Sequence, residues 1–302
     1  MTEADKQLAE DLHEQATELE DDDAKLAMYQ RVLALNPNRP ETLYNIGLIH
    51  KYRSEWALSE DFNQRAVALA PDDEAANWNL AIAATAQGHW DVARSTWQRL
   101  GMKIAPGEGP IDDDFGMTPV RLNPDGEAEV VWGRRIDPVR VRIGNIPFPD
   151  SGFRAGDVVL HDGAAVGYRE HQGRECPVFN VLMLIQPSSE ATYELRLRAT
   201  RPEALEAVEQ QLDEAGFSCE DWSANIQVLC KACSEGRPHE KHEAHGGQQG
   251  AAQAPAARRR DEASFGVSAV PSDDLAERIK RYLPSGVVME SLTLRLAPPA
   301  SH

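Results

Sequence analysis

The segments "YQRVLALNP" (29–37) and "NQRAVALAP" (63–71) decide the fold of the first third of the chain. A shift of 34 residues superimposes them, and the same shift brings "WQRL" (97–100) onto both. The alignment also pairs Asn45 with Asn79. A fixed period of roughly 20 to 50 residues is typical of stacked structural repeats. The sequence therefore predicts an array of paired helices.

The repeat resembles the tetratricopeptide repeat (TPR) family, which has this period, small residues where paired helices cross and a proline after the second helix. The best match is "ETLYNIGLIHKYRSEWALSEDFNQRAVALAPDD" (41–73), and the resemblance covers residues 6–101. It implies a TPR-like array over residues 1–101. No family is recognised for the rest of the chain. Because about three repeats are the practical minimum for a stable stack, we expect the array to lean on the domain that follows.

In the TPR family the first helix of each pair lines a concave groove. By resemblance the groove would present seven partner-binding side chains: Tyr44, Asn45, Leu48, Tyr52, Trp78, Asn79 and Ile82. The two asparagines could hold the backbone of an extended peptide. The alternative interpretation is that Tyr44 and Trp78 are ordinary repeat residues that make contacts within the array.

Charge restricts the class of partner. The chain has 31 Lys and Arg against 49 Asp and Glu, a net charge of -18, and residues 1–100 hold 18 acidic and 9 basic side chains. This field favours a basic or neutral protein or peptide and makes nucleic acid an unlikely partner. No apolar run approaches the roughly 20 residues that a bilayer span needs, and the first residues are acidic. We therefore expect a cytoplasmic protein without a membrane partner.

The sequence pattern changes after a linker at 102–117. Residues 118–190 consist of short apolar runs separated by Gly and Pro, a pattern that predicts a small β barrel or sandwich. In "LHDGAAVGYR" (160–169) the pair Asp162-Gly163 suits a tight hairpin turn.

The last region, 191–298, reads strand, helix, strand, then strand, helix, strand. This order resembles a ferredoxin-like α+β sandwich, with "NIQVLC" (225–230) as its second strand and an inserted loop at 231–262. In the second helix, Leu275, Ile279 and Tyr282 are expected to face inward. The predicted class is a multidomain α plus β protein.

The inserted loop begins with "CKACSEGRPHEKHEAH" (230–245). Cys230, Cys233, His239 and His242 have spacings at which two thiolates and two imidazoles can share one tetrahedral zinc ion. Two alternatives are a polar loop without metal and a redox-active cysteine pair.

Catalytic residues are not predicted. His161, Asp162, His171 and Cys176 lie close in sequence but show no recognisable catalytic spacing. The sequence favours a non-enzymatic adaptor or scaffold that binds a peptide in its TPR groove and carries a structural zinc site. The alternative function is a metal-dependent sensor or enzyme that works at the Cys/His loop, with the repeats used for docking.

Overall fold

Six consecutive helices form the first part of the chain in a computed structural model, which describes residues 2–223 and 261–299. Their bounds are α1 Glu3–Thr17, α2 Asp22–Leu35, α3 Pro40–Tyr52, α4 Trp56–Leu69, α5 Glu74–Gln87 and α6 Trp90–Arg99. The succession is compatible with helical repeats. Two β sheets follow, so the mixed α and β class is confirmed.

The described residues divide into two compact units. The first comprises the residues up to Asp113 together with Ile136–Val139. The second comprises Asp114–Arg135 and the described residues from Arg140 onward. We call them the helical unit and the β unit.

Local signals in the sequence set the helix boundaries. The carboxylates of Asp21 and Asp73 accept hydrogen bonds from main-chain N–H groups in the first turns of α2 and α5, as N-cap residues do. Pro40 occupies the first turn of α3, and Gly88 ends α5 in the left-handed conformation with φ 72°. No helix within residues 2–223 and 261–299 is long and apolar enough to cross a membrane.

The helices approach closely at Gly47. A Cβ atom on this residue would lie 2.4 Å from Nδ2 of Asn63 on α4. The hydroxyl of Ser59 donates to the carbonyl oxygen of Gly47 at 2.9 Å. The glycine of the repeat is thus required by the contact between α3 and α4. A core cluster of the helical unit contains Leu43, Ala66, Val67, Ala76 and Leu80.

Part of the predicted linker is held on the helical unit. The guanidinium of Arg94 on α6 donates to the carbonyl oxygens of Ala105 (2.8 Å), Gly109 (2.7 Å) and Pro110 (3.1 Å). Ile111 in the same segment is buried. These contacts hold the segment that follows α6 against that helix.

Five strands of the β unit form a closed barrel. They are β1 Met117–Leu122, β2 Glu129–Arg135, β3 Arg140–Ile143, β4 Val158–His171 and β5 Arg174–Gln186. Successive strands pair antiparallel, and β1 pairs with β5 in parallel to close the barrel. The core contains Val120, Leu122, Val131, Val141, Ile143, Val159 and Val181.

The hairpin turn expected at Asp162-Gly163 is wrong. Strand β4 runs through these residues with irregular pairing, and the turn into β5 lies at Gln172-Gly173. Gln172 and Gly173 have φ values of 51° and 74°, as a tight hairpin turn of the primed type needs. At Asp162-Gly163 the ladder skips, because three residues of β4, 162–164, face one residue of β5 between His161–Val181 and Ala165–Phe179.

The second sheet contains β6 Ala191–Ala199, β7 Ser218–Asp221, β8 Glu262–Ala269 and β9 Val287–Leu296 in the order β7-β8-β6-β9. All neighbours are antiparallel. Helix α7 Val208–Glu214 follows β6, and α8 Leu275–Lys280 follows β8. Side chains of the strands and both helices share one core: Leu195, Leu197, Phe265, Val267, Val208, Leu212, Leu275 and Ile279.

Two sequence expectations concern this second sheet. The strand predicted at 225–230 and the predicted loop up to residue 260 lie outside the described residues. Among the described strands, β8 pairs with β7 on one side and with β6 on the other. Tyr282, which the pattern predicts to face inward, is exposed, because α8 ends at Lys280 before it.

The barrel and the second sheet are joined through the β3–β4 loop, residues 144–157. The carboxylate of Glu220 accepts from Nδ2 of Asn145 (2.9 Å) and from the main-chain N–H of Ile146 (2.8 Å). The indole N–H of Trp222 donates to the carbonyl oxygen of Ile146 at 3.0 Å. These bonds fix the loop on the polar face of the sheet.

Candidate functional site

The predicted groove residues lie on α3 and α5, the first helices of the second and third pairs. Tyr44, Leu48 and Tyr52 follow one another at intervals of four residues on α3, so they share one face of this helix. The structure thus brings an aromatic, an aliphatic and a second aromatic side chain into one ridge, which we call the α3 ridge.

The two asparagines differ although the repeat makes them equivalent. Asn45 is half-buried and donates from Nδ2 to the hydroxyl of Tyr29 at 3.1 Å. Asn79 is only 4% exposed, and its Oδ1 accepts from Nζ of Lys51 at 3.1 Å. Each amide therefore already has a bond within the helical unit.

The predicted groove residues differ in how far they are exposed to solvent. Ile82 is 1% exposed, so neither it nor Asn79 can meet a partner in this conformation. Tyr52 is 57% exposed. Tyr44, Leu48 and Trp78 are partly exposed, and the ring of Trp78 meets that of Trp97 edge-on at 4.9 Å between centroids. The accessible surface is therefore centred on the α3 ridge.

Lys51 was missed by the sequence reasoning. It is buried beside the α3 ridge, and its Nζ lies 4.5 Å from the centroid of the Tyr52 ring. This distance suits a cation–π contact, which orients the exposed ring. Its position on α3, three residues after Leu48 and directly before Tyr52, was the available signal.

The predicted zinc ligands Cys230, Cys233, His239 and His242 lie outside the described residues. Within the described part of the chain, no group of three His, Cys, Asp or Glu side chains could hold a metal ion. Cys219 is described, and burial raises the pKa of its thiol above the usual value, with nearby Glu209 contributing in the same direction.

His161 and Cys176 do not stand opposite each other in the barrel. His161 stands opposite Val181 in the ladder, whereas Cys176 stands opposite Arg169. His161 is fully buried, which lowers the pKa of its imidazole to about 3, and its Nδ1 lies 2.6 Å from the carbonyl oxygen of Asp162. A neutral imidazole whose ring stacks on Phe179 has a structural role.

Comparison of the sequence with protein-family models found no match, and comparison with the curated proteins found none either. The function is therefore inferred from the residues and contacts themselves.

Proposed function

We propose that this chain is a non-enzymatic adaptor or scaffold that binds a basic or neutral peptide along the α3 ridge. The observation that supports this proposal most is the α3 ridge, because exposed Tyr52 lies in line with partly exposed Leu48 and Tyr44. Tyrosine is common at binding hot spots because its ring gives a large contact area and its hydroxyl a hydrogen bond. The acidic excess of residues 1–100 supplies the charge preference.

We assign the helical unit to a TPR-like array of three pairs. The 34-residue period and the contact of Gly47 with Asn63 support this assignment. The proposed groove is smaller than the seven predicted residues suggest, because Asn79 and Ile82 are buried. Tyr44, Asn45, Leu48, Tyr52 and Trp78 remain as its partner-facing members.

We assign the second sheet and its two helices to a ferredoxin-like module with an inserted zinc loop. The strand order β7-β8-β6-β9 with one helix after β6 and another after β8 supports the ferredoxin-like part. Cys230, Cys233, His239 and His242 would hold the zinc, which closes the loop without taking part in chemistry. Protein purified without a histidine tag should contain about one zinc per chain. The double variant Cys230→Ser, Cys233→Ser should lack it, whereas Cys176→Ser, outside the cluster, should retain it.

The peptide proposal is tested with three sets of short fluorescent peptides of net basic, neutral and acidic charge, measured by anisotropy against the full chain. Basic or neutral peptides should bind, and acidic ones should not. The variant Tyr52→Ala should weaken binding by about tenfold, the loss of one aromatic hot spot. The matched control is Leu58→Ala, which removes another exposed apolar side chain, on α4.

Two results would contradict the proposal. One is the absence of binding by every peptide set. The other is an unchanged affinity of folded Tyr52→Ala, with circular dichroism used to establish folding.

A further inference from the structure

A cavity of about 420 Å³ lies within the β unit, between loops of the barrel and the polar face of the second sheet. The barrel contributes the end of the β1–β2 loop, the start of β2 and residues 148–151 of the β3–β4 loop. The sheet contributes side chains from β6, β8 and β9 and the segment after β7. Cavities of roughly 300 to 1,000 Å³ accommodate small-molecule ligands. None of these elements was predicted to form a site.

Two aromatic rings form an apolar wall of this cavity. The centroids of Phe148 and Trp222 lie 5.3 Å apart with the rings tilted by 39°. Trp222 lies directly on Gly266, where a Cβ atom would come within 2.4 Å of its ring. The hydrogen bond from its indole N–H to the carbonyl oxygen of Ile146 also fixes the position of the ring. The wall is therefore positioned before any ligand arrives.

The charges that line the cavity are unbalanced. Four carboxylates face one guanidinium: Glu127, Glu129, Asp150 and Glu194 against Arg295. Glu194 already accepts from the hydroxyl of Ser264 (3.0 Å) and from Nε of Arg196 (2.9 Å), and it lies 3.6 Å from Arg295. Its acceptor capacity is largely used.

Glu129 differs from Glu194. It is 2% exposed, and both of its carboxylate oxygens share the same main-chain N–H of Phe148, at 3.2 and 3.1 Å. Among the described residues no basic side chain forms an ion pair with it. A carboxylate offers about four acceptor positions, and a buried charge without a counter-charge is costly. The carboxylate of Glu129 therefore has acceptor positions, and no counter-charge beside it, among the described residues.

A metal ion does not fit this arrangement. Among the described residues no three His, Cys, Asp or Glu side chains converge closely enough to hold a metal ion. Aromatic rings beside an acidic group instead suit a cation that has an apolar body, because the ring faces attract positive charge and also bury hydrocarbon.

We propose that this cavity binds a small organic amine or guanidine, with its cation at Glu129 and its apolar body against Phe148 and Trp222. This site is separate from the α3 ridge and does not depend on it.

The test uses saturation-transfer NMR titrations of the full chain with two cations of different body shape, phenethylamine and agmatine. Phenethylamine has an uncharged counterpart, 2-phenylethanol, and an anionic counterpart, 3-phenylpropionate. At least one cation should bind, and 3-phenylpropionate should not. If phenethylamine binds, 2-phenylethanol should bind about tenfold more weakly. The proposal is overturned if neither cation binds, or if phenethylamine binds with the same affinity as 2-phenylethanol.

Three variants locate the binding. Glu129→Gln keeps an acceptor for the N–H of Phe148 but removes the charge, so cation affinity should fall about tenfold or more. Glu214→Gln, an exposed carboxylate on α7, is the matched control and should bind as the original chain does. Arg295→Gln removes the only basic side chain among the described lining residues and should strengthen cation binding.

The third variant keeps the proposal falsifiable if Glu129→Gln does not fold. Unchanged or weaker cation binding by folded Arg295→Gln contradicts the proposed site. So does unchanged cation affinity of folded Glu129→Gln.

Discussion

Lys51 in the helical unit and Glu129 in the β unit are both buried ionisable side chains, but their surroundings differ. The ammonium of Lys51 donates to Asn79 and lies over the ring of Tyr52. Glu129 accepts from one main-chain N–H and has no cation beside it among the described residues. A charge that the fold itself satisfies has a structural role. A charge that the fold leaves partly unsatisfied indicates a place where a ligand contributes.

This difference has an energetic consequence in the β unit. Burial raises the pKa of Glu129 from 4.5 to about 7, against the lowering effect of the Phe148 N–H, and the nearby Glu220 carboxylate raises it further. The folded chain therefore holds a proton on Glu129 at pH values where the unfolded chain has lost it.

The largest expected effect is a pH dependence that Glu129→Gln removes. As pH rises from below 4.5 to above 7, the unfolded state releases this proton first, so the free energy of unfolding falls, by about 3 kcal/mol in total. The amide that Glu129→Gln introduces cannot titrate, so the stability of the variant relative to the original chain should grow over this window. Urea titrations across the window measure it.

Glu127→Gln is the matched control, because Glu127 lies two residues earlier and is exposed. Its effect on the free energy of unfolding should be small. A difference between Glu129→Gln and the original chain that stays constant with pH would contradict the buried, cation-free environment described for Glu129.

The sequence does not indicate that Glu129 is buried while nearby Glu127 is exposed. The stretch "EAEVVW" (127–132) presents Glu127 and Glu129 on the same side of an extended chain, and nothing local distinguishes the exposed side chain from the buried one. The difference is made by Phe148 and Glu220, which are distant in sequence. The cavity could not be predicted because its walls come from segments joined only by the fold.

The helices were more predictable, since a repeat places equivalent residues in equivalent local surroundings. The 34-residue period therefore predicted consecutive helices, six of which are present, and which residues share one face of α3 and of α5. It could not indicate what lies over those faces, so the burial of Asn79 and Ile82 was not foreseen. The misplaced turn at Asp162-Gly163 has another cause, because a dipeptide typical of hairpin turns can also lie inside a strand whose pairing is irregular.

A second prediction tests whether the aromatic wall is as tightly fixed as the geometry indicates. Gly266→Ala forces a Cβ atom against the ring of Trp222, so the ring must move and its bond to Ile146 is strained. The free energy of unfolding should fall by about 2 kcal/mol. Gly126→Ala is the control, since the nearest atom to its Cβ, the carbonyl oxygen of Asn123, is 4.0 Å away. Equal stability of the two variants, measured by urea titration, would show that the wall is loose.

The smallest effect separates the two equivalent asparagines of the repeat. Asn79→Ala removes a buried acceptor from a charged donor, Lys51, so it should cost about 2 kcal/mol of unfolding free energy. Asn45→Ala removes a half-buried bond between neutral groups, the amide and the hydroxyl of Tyr29, and should cost about 1 kcal/mol. Urea titrations of the two single variants, which are each other's matched control, measure the difference. The order of the two costs is the decisive result, because the same chemical change is made at the same repeat position. If Asn45→Ala lowered the free energy of unfolding as much as Asn79→Ala or more, the amide of Asn79 would not stabilise the buried Lys51. Lys51 would then no longer be the example of a buried charge that the fold satisfies.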